Sequence, residues 1–149
     1  MTIEHILVAT DLSREALACC APVGALARSM GARLTLLHVL EGHAAIPHGA
    51  PLAPPLTEPA PADDVEEALA RLEERRGAYG DGVEMKVEVV SGSDVAAAIT
   101  EYAEKHAVDL VAVATHGRTG FRHLVLGSVA EAVVRRSSVP VLVLPRPKG

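Results

Sequence analysis

The chain has 149 residues, of which 49% are hydrophobic and 22% charged, a composition typical of one globular domain with an apolar core. The formal net charge is −5 and the aromatic residues are two tyrosines and one phenylalanine. This excludes a strongly basic surface for nucleic acid and an aromatic platform for stacked bases. Because the amino terminus lacks secretory features and no apolar run is long enough for a membrane span, we expect a cytoplasmic protein without one.

The first part of the chain predicts two strands separated by a helix. Residues 5–10 form a short apolar run that indicates a buried strand, and Asp11 follows it. Apolar residues at helical spacing predict one helix over residues 13–30, with Ser13 as its cap and Gly31 as its stop. Residues 33–40 predict the second strand.

The two cysteines, Cys19 and Cys20, are adjacent within the predicted helix. Neighbouring helical residues point about 100° apart, so a disulfide between them would be badly strained. The C-x-x-C spacing of redox and metal sites is absent, which makes such a role unattractive. We therefore expect both cysteines to be reduced and buried.

A proline-rich segment interrupts the alternation of strands and helices at about residues 42–62. Proline removes backbone donors and prevents regular helix, so we expect an extended, mobile surface loop. The loop is either a spacer or a lid over a site. Its histidines, His43 and His48, have no third ligand at suitable spacing, and no metal site is assigned.

The second part of the chain continues the alternation of strands and helices. The pattern predicts a helix at 63–76, a strand at 85–90, a helix at 95–106, a strand at 110–114, a helix from 128 to near 136 and a strand at 139–144. A turn at 91–94 is expected before the helix at 95–106. Five short apolar strands alternating with helices predict a single α/β domain with a doubly wound, five-stranded parallel sheet and helices on both faces. In such sheets ligands bind at the carboxyl ends of the strands, near the point where the strand order reverses.

Residues 114–130 carry the strongest functional signal. Gly117 and Gly120 lie in the loop after the fourth strand, and Gly127 and Ser128 open the next helix. Glycine lets backbone N–H groups approach an anion, and a helix start offers unpaired N–H groups. Ser128, placed at the cap, can hydrogen-bond its own helix or a phosphate oxygen. The segment predicts a phosphate site, although a tight turn followed by a capped helix would explain the same residues.

Three common motifs are absent from the sequence: the P-loop G-x-x-x-x-G-K-[ST], the dinucleotide motif G-x-G-x-x-G and the nucleophile elbow G-x-S-x-G. Gly117, followed after nine residues by Gly127 and Ser128, instead resembles the nucleotide motif of the universal stress protein family, G-x-x-G, nine residues, G-[S/T]. The similarity extends to the segments Ala-Thr-Asp-Leu-Ser, Leu-Leu-His-Val, Val-Asp-Leu and Ser-Val-Pro-Val-Leu-Val. It covers the whole chain except the proline-rich loop.

The resemblance implies a Rossmann-like fold of the adenine nucleotide alpha hydrolase type, and a homodimer that pairs through residues 139–144. It also implies a bound ATP, or alternatively ADP or AMP, with Mg²⁺ held through the phosphates. The nucleotide-binding positions that it implies are Ala9, Thr10, Asp11 and Val39 beside adenine and ribose, Gly117, Gly127, Ser128 and Val129 at the phosphates, and Val113, Ala114, Arg118 and Ala130 next to them. Ala114 stands where the family has its first glycine, and one methyl group is a small intrusion.

Three functions remain open at this level. The first is a nucleotide-dependent regulatory module in the stress response, acting on an unidentified protein partner rather than on nucleic acid. The second is a slow ATPase or phosphotransferase that uses the same pocket, and the third is a dimeric interaction protein that binds no nucleotide. No catalytic residue is assigned, because nothing fixes Asp11, His116 and Ser128 as a hydrolytic triad and no Walker-type magnesium aspartate is present.

Overall fold

The structure is a computed structural model that describes residues 1–42, 44–45, 56–57, 60–115 and 126–145. Predictions for Gly117, Arg118 and most of the proline-rich segment therefore lie outside the described residues. The elements are β1 (His5–Ala9), α1 (Arg14–Cys20), α2 (Val23–Met30), β2 (Arg33–Glu41), β3 (Ala44–Ala45), β4 (Leu56–Thr57), α3 (Ala62–Arg75), a 3-10 helix (Arg76–Tyr79), β5 (Met85–Gly92), α4 (Val95–Lys105), β6 (Leu110–Ala114), α5 (Ser128–Arg136) and β7 (Val141–Leu144).

Five of the strands form one parallel sheet in the order β5-β2-β1-β6-β7. The chain runs outward from β1 through β2 to β5 and then returns to β6 and β7 on the other side. The strand order therefore reverses between β1 and β6, and the predicted doubly wound fold is confirmed. Within the described ranges, no helix combines the length and the apolar character that crossing a membrane requires.

Each face of the sheet is covered by its own set of helices. Side chains of β1 alternate, so that Ile6 and Val8 pack with residues of α1, α2 and α3 while Leu7 packs with residues of α4 and α5. All three are fully buried. This alternation follows from the period of two along a strand, and it explains why the central strands are apolar throughout.

The predicted helix over 13–30 is wrong in one respect, because the structure has two helices there. Ser13 does cap α1, since its Oγ accepts a hydrogen bond from the backbone N–H of Ala16 at 3.1 Å. Pro22 then separates α1 from α2 because it has no N–H to continue the helical ladder. Gly31, with φ +66°, ends α2 in the left-handed conformation, as the sequence predicts.

Four strand boundaries and one pairing also differ from the sequence prediction. β2 and β5 run on to Glu41 and Gly92 because these two residues pair across the sheet, which overrides the turn-like composition of residues 91–94. β1 ends at Ala9, and β7 begins at Val141, after Pro140. Within the proline-rich segment β3 and β4 pair in antiparallel fashion, an element that the proline content obscured.

Both cysteines are buried thiols in α1, in agreement with the sequence. Burial in the apolar core raises the pKa of Cys20 to about 12. The reactive thiolate form of Cys20 is therefore almost absent at neutral pH, and the side chain serves to fill the core.

His5 links the starts of two strands to the end of α4. Its Nδ1 donates a hydrogen bond to the carbonyl of His106 (3.2 Å), which leaves Nε2 to accept one from the Thr35 hydroxyl (2.8 Å). Burial and the Arg33 guanidinium lower the pKa of His5, against the opposing effects of the His106 carbonyl and Asp109. The folded protein therefore favours the neutral imidazole.

This preference predicts an acid sensitivity that belongs to His5. Because the folded-state pKa is below the unfolded value of 6.5, the contribution to stability is complete above 6.5 and is lost as the pH falls through the folded-state pKa. We expect His5→Gln to flatten the decline of the free energy of unfolding below pH 6.5, as measured by urea unfolding at a series of pH values. An unchanged pH dependence in this variant would assign the acid sensitivity to other groups.

Candidate functional site

A cavity of about 540 Å³ opens at the carboxyl ends of β1, β2 and β6, where the strand order reverses. Every predicted nucleotide-binding residue that the structure describes lines it: Ala9, Thr10, Asp11, Val39, Val113, Ala114, Gly127, Ser128, Val129 and Ala130. Gly117 and Arg118 lie outside the described residues. The structure thus brings together, at one edge of the sheet, residues that are more than a hundred positions apart in sequence.

The segment after β1 turns sharply into the cavity wall. The Thr10 hydroxyl accepts a hydrogen bond from the N–H of Leu12 (3.1 Å), and Asp11 Oδ1 accepts one from the N–H of Ser13 (2.9 Å). Leu12 has φ +66°, a conformation that L residues seldom adopt, yet its side chain is buried. The two hydrogen bonds and this burial hold the strained turn, and the turn places the Asp11 carboxylate at the cavity.

His38 braces the same turn from the neighbouring strand. Its Nδ1 donates a hydrogen bond to the carbonyl of Thr10 at 2.8 Å, and the N–H of Thr10 donates to the carbonyl of Leu37 at 2.9 Å. β2 therefore fixes the end of β1 through both the N–H and the carbonyl group of Thr10. This hydrogen bond also holds the His38 ring in place in the cavity lining.

The amino terminus of α5 forms the opposite wall. Gly127 occupies the cap position in an extended conformation (φ −58°, ψ 155°), which corrects the prediction that Ser128 is the cap. The first intrahelical bond runs from Glu131 to the Gly127 carbonyl at 2.9 Å, so the amides of Ser128, Val129 and Ala130 point out of the helix start. Three amides at the positive end of a helix make this wall suited to an anion.

The charge of the described lining is divided between the two walls. Asp11 and Glu41 provide carboxylates at the ends of β1 and β2, and the described part of the lining holds no lysine or arginine. An anionic group would therefore meet repulsion near the strand ends and attraction at the start of α5. The cavity is arranged for a ligand that has a neutral, polar end and an anionic end.

Eight residues of the lining were not among the predicted nucleotide-binding positions: Ala16, Leu37, His38, Leu40, Glu41, Val95, Ile99 and Thr115. Leu40 and Thr115 nevertheless lie at the strand ends where the sequence predicts the site, and the other β2 residues could have been identified from the same position. Val95 and Ile99 lie on α4, and no local sequence signal predicts that this helix packs over the strand ends. The position of Ala16 of α1 beside the cavity likewise has no local sequence signal.

The model of the universal stress protein family matches residues 2–145 of this chain. The universal stress protein MJ0531 of Methanocaldococcus jannaschii is 37% identical over 86 residues, which make up 58% of this chain and 49% of that protein. The chain thus spans about half the length of this curated relative.

Solved structures share the fold over the entire chain. The hypothetical protein MJ0577 superposes with a TM-score of 0.74 at 25% identity, with 100% of both chains covered. A universal stress protein from Archaeoglobus fulgidus in complex with dAMP has a TM-score of 0.69 at 20% identity, covering 97% of this chain and 99% of that one. A universal stress protein in complex with cAMP has a TM-score of 0.67 at 22% identity, covering 99% of this chain and 100% of that one. This chain is a member of the universal stress protein family.

Proposed function

We propose that this protein binds ATP in the cavity at the carboxyl edge of the sheet and acts as a nucleotide-dependent regulatory module of the stress response in the cytoplasm. The main observation that supports the proposal is that the ends of β1 and β2 and the start of α5 surround one cavity. Its volume of about 540 Å³ lies within the usual range for small-molecule sites.

The two walls fit the two ends of a nucleotide. The amides of Ser128, Val129 and Ala130 offer hydrogen bonds to phosphate oxygens, and the dipole of α5 favours their negative charge. The Asp11 carboxylate can accept hydrogen bonds from ribose hydroxyls, while Val39 and Val113 supply apolar surface for a base. Mg²⁺ would be held by the phosphates, since the described residues include no group of three or more metal-ligating side chains.

The known structures support an adenine nucleotide as the ligand class. The ligands named for two proteins of this fold, dAMP and cAMP, are both adenine nucleotides. Their sequence identity to this chain is low, so the choice of ATP among such nucleotides rests on this chain's own α5 terminus and the glycine spacing around it.

Calorimetric titration of the purified protein with ATP, ADP, AMP and cyclic AMP, each with and without Mg²⁺, tests the proposal. We expect ATP to bind most tightly, because its phosphates can use all three amides. Absence of binding by all four nucleotides would favour an interaction protein instead. Rapid release of phosphate in a parallel turnover assay would favour an ATPase or phosphotransferase.

Asp11→Asn tests the nucleoside end of the proposed site. The amide side chain keeps the oxygen that accepts from the Ser13 N–H, so the turn is preserved while the negative charge is lost. Hydrogen bonds to charged groups contribute about 1.5–3 kcal/mol, so we expect adenosine to lose affinity about tenfold or more and ATP to lose less, since the repulsion between the carboxylate and the phosphates is also removed. Calorimetry measures both affinities. If ATP alone lost affinity, Asp11 would contact the phosphate end of the nucleotide instead of the nucleoside end.

We also propose that the protein forms a homodimer through β7. In the described sheet β7 is an edge strand that pairs with β6 alone. Its residues are only half-buried and apolar, and an unpaired apolar edge favours pairing with another chain. Pairing of two β7 strands across a two-fold axis would use the same surface on both subunits.

Val143→Pro tests this edge without disturbing the ladder to β6. The N–H of Val111 donates to the Pro140 carbonyl (3.0 Å) and that of Thr115 to the Leu144 carbonyl (2.9 Å). In a parallel ladder with these bonds the N–H of Val143 points to the open edge, where proline is tolerated. We expect Val143→Pro to be monomeric in sedimentation at micromolar concentration. The control Val143→Ala, which keeps the N–H, should remain dimeric, and a monomeric parent protein would contradict the proposal.

A further inference from the structure

A second cavity, of about 300 Å³, lies at the opposite edge of the sheet from the proposed nucleotide site. It is formed by the first residues of β1, β2 and β5 together with the end of α4, and it shares no described lining residue with the first cavity. Its lining combines apolar and polar side chains and includes two cations, Arg33 and Lys86.

The floor of this cavity is a buried polar network. His5, Thr35 and Tyr102 are between 2% and 6% exposed. His5 accepts a hydrogen bond from the Thr35 hydroxyl, and the side chains of Tyr102 and Thr35 are also hydrogen-bonded. Buried polar side chains are costly unless they are paired, and these hydrogen bonds hold the floor in place.

The Arg33 guanidinium lies against this floor, and among the described residues it forms no ion pair with a carboxylate. Its side chain approaches His5, with Nη2 at 3.4 Å from Nδ1. The proton on Nδ1 is already directed to the His106 carbonyl, so two donors face each other and no hydrogen bond forms between them. A guanidinium has five donors and retains its charge, which leaves it able to bind an oxyanion.

The other charged groups of the lining limit the ligand to a small one. Lys86 adds positive charge at the rim but is shared with Glu88, to which it forms an ion pair. Glu84 also lines the cavity and would repel a highly charged anion. A single phosphate or carboxylate group facing Arg33 avoids most of that repulsion, and the planar guanidinium matches either group by two parallel hydrogen bonds.

We propose that this second cavity is a binding site for a small oxyanion, a phosphate or a carboxylate group, with Arg33 as its principal ligand and Lys86 as a secondary one. An anion here would lie beside the His5 imidazole and would favour its protonated form. Binding at this edge therefore couples to the protonation of a residue that joins β1, β2 and α4.

Titration of the isotopically labelled protein with inorganic phosphate, followed by NMR, tests this site. Chloride replaces phosphate at constant ionic strength, and acetate serves as a second arm that presents a carboxylate. We expect saturable shifts of the His5 ring and Thr35 signals with at least one of the two anions, together with a higher His5 pKa in its presence. Shifts that do not saturate, or no shift with either anion, would overturn the proposal.

Two variants localise the effect. Arg33→Gln removes the charge from an exposed position and should weaken anion binding at least about tenfold, the scale for a charged hydrogen bond. Arg71→Gln makes the same change of charge on an exposed residue of α3 and should leave binding unchanged. Equal binding by Arg33→Gln and the parent protein would overturn the proposal.

Phosphate could also bind at the start of α5, and the NMR signals separate the two sites. The amides of Ser128 to Ala130 report on the first cavity, whereas His5 and Thr35 report on the second. The Gly127→Val variant should keep the His5 and Thr35 shifts. Their loss in that variant would contradict a separate site.

Discussion

Gly127→Val should abolish detectable ATP binding while the fold is retained. Gly127 precedes the three exposed amides of the α5 start, so a branched side chain there would stand where phosphates must approach. Its backbone (φ −58°, ψ 155°) is open to any L residue, and therefore the substitution introduces no backbone strain. We expect an affinity loss of at least about a hundredfold, corresponding to more than one charged hydrogen bond.

Calorimetry with ATP on folded Gly127→Val measures this loss, and circular dichroism verifies the fold. Gly77→Val is a matched control, because a Cβ at Gly77 would meet no described atom within 4 Å beyond its chain neighbours and its own helix backbone, and the residue lies outside the described cavity lining. The control should bind ATP as the parent protein does. Unchanged ATP affinity in folded Gly127→Val would exclude this cavity as the nucleotide site.

Gly24→Ala should destabilise the fold strongly. A Cβ at Gly24 would overlap the carbonyl oxygen of Tyr79 and lie 2.6 Å from its carbonyl carbon. Both neighbours are backbone atoms at the end of the 3-10 helix, so α2 and that helix would have to move apart. Overpacking costs typically 1–3 kcal/mol, and a contact this close should reach about 3 kcal/mol or more.

Urea unfolding of Gly24→Ala and of Gly77→Ala gives the comparison. Gly77 lies in the 3-10 helix with open space where its Cβ would be, so alanine there should leave the free energy of unfolding nearly unchanged. With a total stability of about 5–15 kcal/mol for a domain, the Gly24 variant should be visibly less stable. Similar midpoints for the two variants would show that α2 can shift without cost.

Local sequence patterns predict most of the fold, and the exceptions have physical causes. The apolar run of β1 and the start and stop signals at Ser13 and Gly31 are local, and the structure confirms them. Pro22 also carried a local signal, since proline within a helical pattern marks a break. The extension of β5 to Gly92 had no local signal, because it depends on pairing with β2, which is distant in sequence.

The position of the candidate site could be predicted because it follows from topology. Once the sheet is doubly wound, Asp11 at the end of β1 and Ala114 at the end of β6 must meet at one edge. The bracing of this turn by His38 and the contribution of Ile99 depend on how neighbouring elements pack, which the sequence pattern does not specify. The second cavity likewise depends on Arg33, which forms no ion pair with the described residues and whose surroundings only the structure shows.

Addition of ATP and Mg²⁺ to ¹⁵N-labelled protein, followed by backbone amide spectra, tests the central proposal most directly. We predict saturable changes that cluster at two groups of amides, Thr10 to Leu12 at the end of β1 and Ser128 to Ala130 at the start of α5. The amides of α3, which lie away from this cavity, should not change. Saturable changes confined to other parts of the molecule, or no change at all, would contradict ATP binding at this edge of the sheet.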